Sequence, residues 1–136
     1  MFETTLHISA LLTSSLLFGG MLLFSASFAA FLFKSLPPAE ARTLIRKAFP
    51  SFYMFVAITS LVAALLAIAS SLYSAGILLL ITLSIIPTRQ ILMPAINAAS
   101  DAKLKQRFFV LHGLSVVITL AHIVAVGFVI IDLAAH

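Results

Sequence analysis

The fold of this chain is decided by the stretch from Ala48 to Thr88, which reads AFPSFYMFVAITSLVAALLAIASSLYSAGILLLITLSIIPT. It contains no Asp, Glu, Lys or Arg. An α-helix rises 1.5 Å per residue, so about 20 residues cross a hydrocarbon core of about 30 Å. At roughly twice that length, the stretch predicts two membrane-spanning helices joined by a tight turn. The small and hydroxyl residues from Ser70 to Gly76 predict the position of the turn.

Two further charge-free stretches flank this one, from Thr4 to Phe33 and from Phe108 to Ile131. All are continuously apolar, whereas the strands of a membrane barrel alternate apolar and polar residues, so the pattern predicts helices. Hydrophobic residues make up 62 % of the chain and charged residues 9 %, against about 25 % charged in soluble domains. We therefore predict an all-α integral membrane four-helix bundle in one domain, residues 1–136. The predicted spans cover residues 4–33, 51–72, 75–93 and 108–131.

The segment between the first two spans carries a helical pattern of its own. Pro37 and Pro38 suit a helix start, because the first turn of a helix leaves its N–H groups unbonded and proline has none. The apolar residues that follow recur at the spacing i, i+3, i+4, i+7, at Ala41, Leu44, Ile45 and Ala48. Charged residues lie on the opposite face of the predicted helix. This predicts a short amphipathic helix in the membrane interface, with Pro50 restarting the chain as the second span.

Basic residues fall into only two segments, and four spans place both segments at the same membrane face. The first segment contains Lys34, Arg42, Arg46 and Lys47, and the second contains Arg89, Lys103, Lys105 and Arg107. Loops rich in Lys and Arg stay on the cytoplasmic side, where anionic headgroups attract them. We therefore expect both basic loops in the cytoplasm, both termini outside, and the protein in a bacterial inner membrane. These residues are predicted to anchor the chain to anionic lipid headgroups, and no aromatic pattern indicates a nucleic-acid partner.

Small residues in the first and fourth spans predict how the helices pack. In a bilayer, close approach of helix backbones at small side chains favours association. The residues concerned are Ser15, Gly19 and Gly20 in the first span and Gly113, Ala121 and Gly127 in the fourth. We predict that these two spans are neighbours, with Gly19 or Gly20 against a small residue of the fourth span. The alternative is that the glycines leave room for a planar ligand.

The spans hold few residues capable of chemistry. No Asp, Glu, Lys or Arg lies near the middle of a span, although coupled transporters and pumps usually need one there. The chain has no cysteine and no Gly-x-Ser-x-Gly motif. We therefore predict no catalytic residue and no metal site.

Histidine is the remaining candidate, as an axial ligand of haem b. Two histidines on facing helices can hold one haem only when both lie at similar depth. His7 lies about 5 Å and His122 about 15 Å from the outer ends of their spans, at 1.5 Å per residue. This difference favours a single axial histidine, His7 or His122, over a pair. The interpretation we favour is that His7 is hydrated at the interface and His122 hydrogen-bonds a neighbouring helix.

Several segments stand in a recognisable order along the chain. They are Phe18-Gly19-Gly20-Met21-Leu22-Leu23-Phe24-Ser25, Leu36-Pro37, Phe49-Pro50-Ser51-Phe52-Tyr53, Pro87-Thr88-Arg89 and Leu111-His112-Gly113-Leu114-Ser115. In this order they resemble a family of small four-span membrane proteins known only as a domain of unknown function, with a eukaryotic branch associated with cisplatin resistance. The resemblance covers nearly the whole chain. It implies a four-helix membrane fold and no particular activity.

The first span carries a second, more distant resemblance. Leu6-His7-Ile8 followed by Gly19-Gly20-Met21 is similar to the opening helix of the copper-resistance-D-like and protoporphyrinogen-oxidase-like membrane four-helix proteins. In those families a first-helix histidine is associated with haem. The resemblance therefore implies a haem-ligand role for His7.

These patterns lead to three functional hypotheses. The first is a non-enzymatic accessory or assembly partner in the bilayer, bound to another membrane protein or to further copies of itself. The second is a haem-b-binding redox protein that uses His7, with His122 as the other candidate ligand. The third is a facilitator for small hydrophobic or metal-complex solutes.

Overall fold

The computed structural model describes all 136 residues and consists of four long helices. They are α1 (Phe2–Ser35), α2 (Pro38–Ala67), α3 (Leu72–Asp101) and α4 (Lys105–Ala134). Each is long and apolar enough to cross a membrane, and no strand is present. The predicted all-α four-helix fold is therefore confirmed, and the chain is an integral membrane protein.

The four helices run alternately up and down and close into a ring. Each helix packs against its neighbours in the chain, and α1 also packs against α4, as predicted. The connections at 36–37 and 102–104 lie together and form the basic end of the bundle. The turn at 68–71 and both chain termini form the opposite, terminal end.

The predicted amphipathic helix is not a separate element. It forms the first turns of α2, which begins at Pro38 and runs without interruption to Ala67, with Pro50 inside it. A proline removes one N–H donor, here the partner of the Arg46 carbonyl, and membrane helices tolerate that loss where other groups compensate. Phe49 and Phe52, on either side of the proline, both pack on the ring of Phe24 and hold the two parts of α2 in line.

The turn between α2 and α3 comes earlier than the sequence predicts. It occupies residues 68–71, and Gly76 lies inside α3. Ser71 accounts for the difference, because its hydroxyl accepts a hydrogen bond from the backbone N–H of Ser74 at 3.2 Å. Such an N-cap satisfies a first-turn amide and starts the helix at the next residue.

At its other end α3 extends well past the predicted stop at Met93 and reaches Asp101. A π-helical turn at Thr88–Leu92 lies between Pro87 and Pro94 and carries the helix through both prolines. The helix then closes at Lys103, whose φ of 55° is left-handed. Its N–H bonds the carbonyl of Ser100, and the next N–H bonds that of Ala99. This pair of bonds is a Schellman cap, in which glycine is the usual residue.

The bundle core changes in character along its length. In the terminal half the buried residues are mostly small, among them Ala10, Ser14, Ser60, Ala63, Ala64, Ala67, Ser74 and Ala75. In the basic half an aromatic cluster forms part of the core, with Phe52 and Tyr53 buried. Phe24, in a π-helical turn of α1, stacks on Phe52 with ring centroids 4.5 Å apart and meets Phe49 edge-on. Small side chains let helices approach closely, whereas rings fill a wider space.

Candidate functional site

The polar side chains of the spans are engaged mainly in contacts between helices. At the terminal end, Asp132 of α4 accepts two hydrogen bonds through Oδ2, from the hydroxyl of Ser71 at 2.6 Å and from that of Ser74 at 2.7 Å. The carboxylate therefore joins α4 to the start of α3. This contact was not predicted from the sequence, although an acidic residue and two hydroxyls at the same end of the spans indicate it.

Two further contacts lie deeper in the bundle. The hydroxyls of Ser60 in α2 and Thr82 in α3 are 2.7 Å apart. The hydroxyl of Ser84 in α3 lies 2.8 Å from Nε2 of His122 in α4, whose side chain is buried. His122 thus hydrogen-bonds a neighbouring helix, which is the interpretation favoured from the sequence.

The histidines do not form a common site. The ring of Phe18 contacts the position that a Cβ on Gly127 would take, so residues 18 and 127 of the antiparallel helices face each other. By this register His122 lies opposite residue 23 of α1, about 24 Å along the helix axis from His7 at 1.5 Å per residue. His112 stacks on Phe108, and His136 contacts the carbonyl of Asp132.

These positions do not fit a haem held by two histidines. The two candidate rings are too far apart in depth, and Nε2 of His122 is already paired with Ser84. No group of three or more His, Asp or Glu side chains could hold a metal ion. A haem with His7 as its single protein ligand stays a prediction.

The basic end contains one ion pair. Nη2 of Arg46 in α2 lies 2.7 Å from Oδ1 of Asp101 in α3 and donates to the carbonyl of Asn97 at 3.2 Å. The other basic residues form no salt bridge. Arg89 differs from them because it is half-buried in the π-helical turn of α3, and its Nε is buried without a hydrogen-bond partner.

Among the small residues predicted to pack α1 against α4, Gly127 does face α1, since a Cβ there would lie 3.7 Å from the ring of Phe18. The others lie elsewhere. A Cβ added to Gly20 would lie 2.6 Å from the ring of Phe55, so Gly20 packs against α2 and not against α4. Gly19 and Gly113 are exposed, and a Cβ added to either would meet no atom within 4 Å. Ser15 is exposed too and donates to the carbonyl of Leu11 in its own helix. The predicted contact of Gly19 or Gly20 with a small residue of α4 is therefore wrong, because the helical phase turns them elsewhere.

A groove runs between α3 and α4 in the basic half of the bundle. Its volume is about 540 Å³, and apolar side chains form most of its walls. Ser84 and His122 lie at one end, and Ala95 and Leu111 lie at the other. Ala121, predicted to pack between helices, is exposed and lines this groove. A second concavity, of about 620 Å³, adjoins it at Leu111 and extends over the turn between the two helices.

The fold and these contacts define a small integral membrane bundle of four helices joined by buried polar contacts. Residues 12–135 match the family model described as Domain of unknown function (DUF4149), so the chain belongs to that family. The resemblance to a domain-of-unknown-function family is thereby confirmed. No curated protein and no solved structure matches the chain. The likenesses to the cisplatin-resistance branch and to the haem-associated families stay predictions.

Proposed function

We propose that this protein is an accessory or assembly partner in the membrane and binds a helix of another membrane protein through α1. The observation that carries the proposal is the outward face of that helix. Ser15 and Gly19 stand one turn apart and are exposed, and no atom lies within 4 Å of the Cβ position of Gly19. A small-xxx-small face lets a second helix approach closely, and van der Waals packing then replaces contacts with lipid.

Helix α1 is also the least covered of the four. Only 17 % of its most apolar 18-residue window is buried, against 33 % in α2 and 28 % in each of α3 and α4. A partner helix that binds to the bundle would therefore bury the most additional surface on α1. The face that remains available is the one with the small residues.

The hydrogen bonds support the same assignment. Asp132, Ser84, His122 and the Ser60–Thr82 pair join α2, α3 and α4 to one another. Every side-chain hydrogen bond from α1 returns to its own backbone. The buried hydroxyl of Ser14 has no partner. The polar groups of the spans thus hold three helices together, while α1 is attached by apolar packing alone.

Single-cysteine cross-linking in native membranes tests the proposal, because the chain has no cysteine of its own. Ser15→Cys carries a photoactivatable maleimide on the outward face of α1. We expect an adduct with one discrete membrane protein, which disappears when Gly19→Ile is added to block close approach.

Leu80→Cys is the matched control, since Leu80 is 67 % exposed on α3. It should give no such adduct. The same adduct from Leu80→Cys would contradict the proposal, because it would mean that labelling follows exposure alone. Adducts between copies of this chain only would assign the face to self-association and contradict the proposal that α1 binds another membrane protein.

We also propose that the basic end faces the cytoplasm of a bacterial inner membrane and that both termini lie outside. In support, all eight Lys and Arg residues belong to the half of the bundle that contains the 36–37 and 102–104 connections. The only charged side chains at the terminal end are those of Glu3 and Asp132, and both are acidic. The K/R bias of short loops sets orientation. A phosphatase that is active only outside the cytoplasm should be active when fused after His136, and inactive when inserted at 102–104. The reverse pattern would overturn this orientation.

A further inference from the structure

We propose that the groove between α3 and α4, together with the concavity that adjoins it, binds one phospholipid with an anionic headgroup. The two concavities share Leu111 as a wall residue. Apolar side chains of the spans form most of the groove. Three of the seven wall residues of the adjoining concavity are basic, one in the turn between the helices and two in the first turn of α4. An amphiphile with a negative head and an apolar tail matches this succession of surfaces.

The headgroup half of the site combines three cations with an uncapped helix start. Lys103, Lys105 and Arg107 line the concavity, and none of them forms a salt bridge. Leu104 precedes α4 and provides no side-chain cap. The backbone N–H groups of Gln106 and Arg107 make no hydrogen bond within the chain. Free amides and the positive end of a helix dipole favour binding of an anionic group. The three cations favour a headgroup whose net charge is negative.

The tail half of the site has the length of one lipid leaflet. Along α4 the groove extends from Leu111 to His122. At 1.5 Å per residue this is about 16 Å, close to half of a hydrocarbon core of about 30 Å. Ala95 and Ala121 keep the groove open where a larger side chain would fill it. The hydrogen-bonded pair Ser84 and His122 closes its deep end.

The charge pattern favours an anionic lipid over a zwitterionic one. Neither concavity has an Asp or Glu in its wall. The carboxylate of Asp101, at the end of α3, is paired with Arg46 at 2.7 Å. Basic pockets between membrane helices bind anionic headgroups by such clusters of Lys and Arg. The proposal is independent of the α1 face, which lies on a different helix.

Native mass spectrometry of the purified full-length protein tests the site. The probes are phosphatidylglycerol and phosphatidylcholine of the same acyl composition. We expect one phosphatidylglycerol per chain, bound more tightly than phosphatidylcholine. Lys105→Gln with Arg107→Gln should weaken phosphatidylglycerol binding by about tenfold or more, because two of the three charges that line the headgroup half are removed.

Further variants separate the effect of charge from that of groove shape. Ala121→Phe fills the groove and leaves every cation in place, and its side chain points away from the core because Ala121 is exposed. It should abolish binding of phosphatidylglycerol. Ala95→Leu, at the other end of the groove, should do the same if Ala121→Phe proves unstable. Arg42→Gln with Lys47→Gln removes two charges from α2, at the same end but outside both concavities, and should leave binding unchanged.

Three results would overturn the proposal of a lipid site. Equal binding of the two lipids, or equal loss in the α2 control, would overturn the proposal, because general surface charge would then explain the binding. Full competition by inorganic phosphate would also overturn it, since the site would then hold a free anion without a lipid tail. Loss of lipid with intact α1 cross-linking would leave the accessory role untouched, so failures of the two proposals can be told apart.

Discussion

At the scale of single residues, two adjacent glycines have opposite roles. A Cβ on Gly20 would lie 2.6 Å from the ring of Phe55, whereas a Cβ on Gly19 would meet nothing within 4 Å. Gly20→Ala should therefore displace the ring and lower the free energy of unfolding by about 1–3 kcal/mol. Gly19→Ala should be neutral or slightly stabilising, because alanine is the better helix former. Thermal unfolding in detergent measures both, and equal effects would mean that Gly20 does not pack closely on α2.

The contact between Ser84 and His122 gives a second prediction at this scale. Ser84→Ala removes the hydroxyl 2.8 Å from Nε2 of His122 and should destabilise the protein by about 0.6 kcal/mol, the average for hydrogen bonds between membrane helices, and by about 1.7 kcal/mol at most. Ser115→Ala is the control, since that hydroxyl bonds the carbonyl of His112 in its own helix. Denaturant titration by circular dichroism compares the variants. A loss as large in Ser115→Ala would show that the contact between helices adds nothing specific.

The residue scale is where the sequence predicts least. That small residues matter in α1 and α4 could be read from the spacing of Ser15, Gly19 and Gly127, but not which helix each one faces. A rotation of α1 by one residue, about 100°, exchanges the surroundings of Gly19 and Gly20. The π-helical turn at Leu23–Phe28 changes that rotation further along the helix. The local sequence pattern does not predict a π-helical turn at this position.

At the scale of whole helices, the sequence predicts which helices exist and in what order better than it predicts the residues at which they begin and end. Charge-free runs identify the four spans because hydrocarbon rejects charge over the full length of each run. Helix ends depend on single hydrogen bonds, such as the cap by Ser71, and on what packs beside a proline. The sequence predicts a helix boundary at Pro50, yet Phe49 and Phe52 both pack on the ring of Phe24 in α1, and α2 continues through the proline. Where the local sequence pattern is ambiguous, tertiary packing therefore decides whether a helix ends or continues.

The end of α3 provides a prediction at this scale. Lys103 holds a left-handed φ of 55° that costs a side-chain-bearing residue about 1 kcal/mol or more, and glycine avoids the cost. Lys103→Gly should therefore raise the unfolding temperature in detergent free of anionic lipid. Lys103→Ala removes the same charge and keeps the conformational cost, so it should not. A gain of equal size in both variants would attribute the effect to charge.

At the scale of the molecule, polar contacts at each level of the bundle join three of its four helices. Arg46 and Asp101 link α2 to α3 at the basic end, Ser60 and Thr82 link them in the middle, and Asp132 links α4 to α3 at the terminal end. Exposed ion pairs such as the first contribute little. The buried and partly buried hydroxyl contacts fix the relative depth of the helices, because apolar surfaces alone would let them slide. Helix α1 lacks such a contact, and this absence is what the proposed binding of a partner to α1 builds on.

The carboxylate of Asp132 joins α4 to α3 at the terminal end through two hydrogen bonds. Asp132→Ala leaves the hydroxyls of Ser71 and Ser74 without their acceptor and separates α4 from the start of α3, so it should lower the unfolding temperature. Asp132→Asn keeps an oxygen acceptor and should cost less. Glu3→Ala, the other acidic residue at this end, makes no hydrogen bond and should change nothing. Amide exchange at residues 68–74 should accelerate in Asp132→Ala alone, because release of Ser71 and Ser74 loosens the turn; unchanged exchange there would mean that apolar packing by itself holds α4 in place.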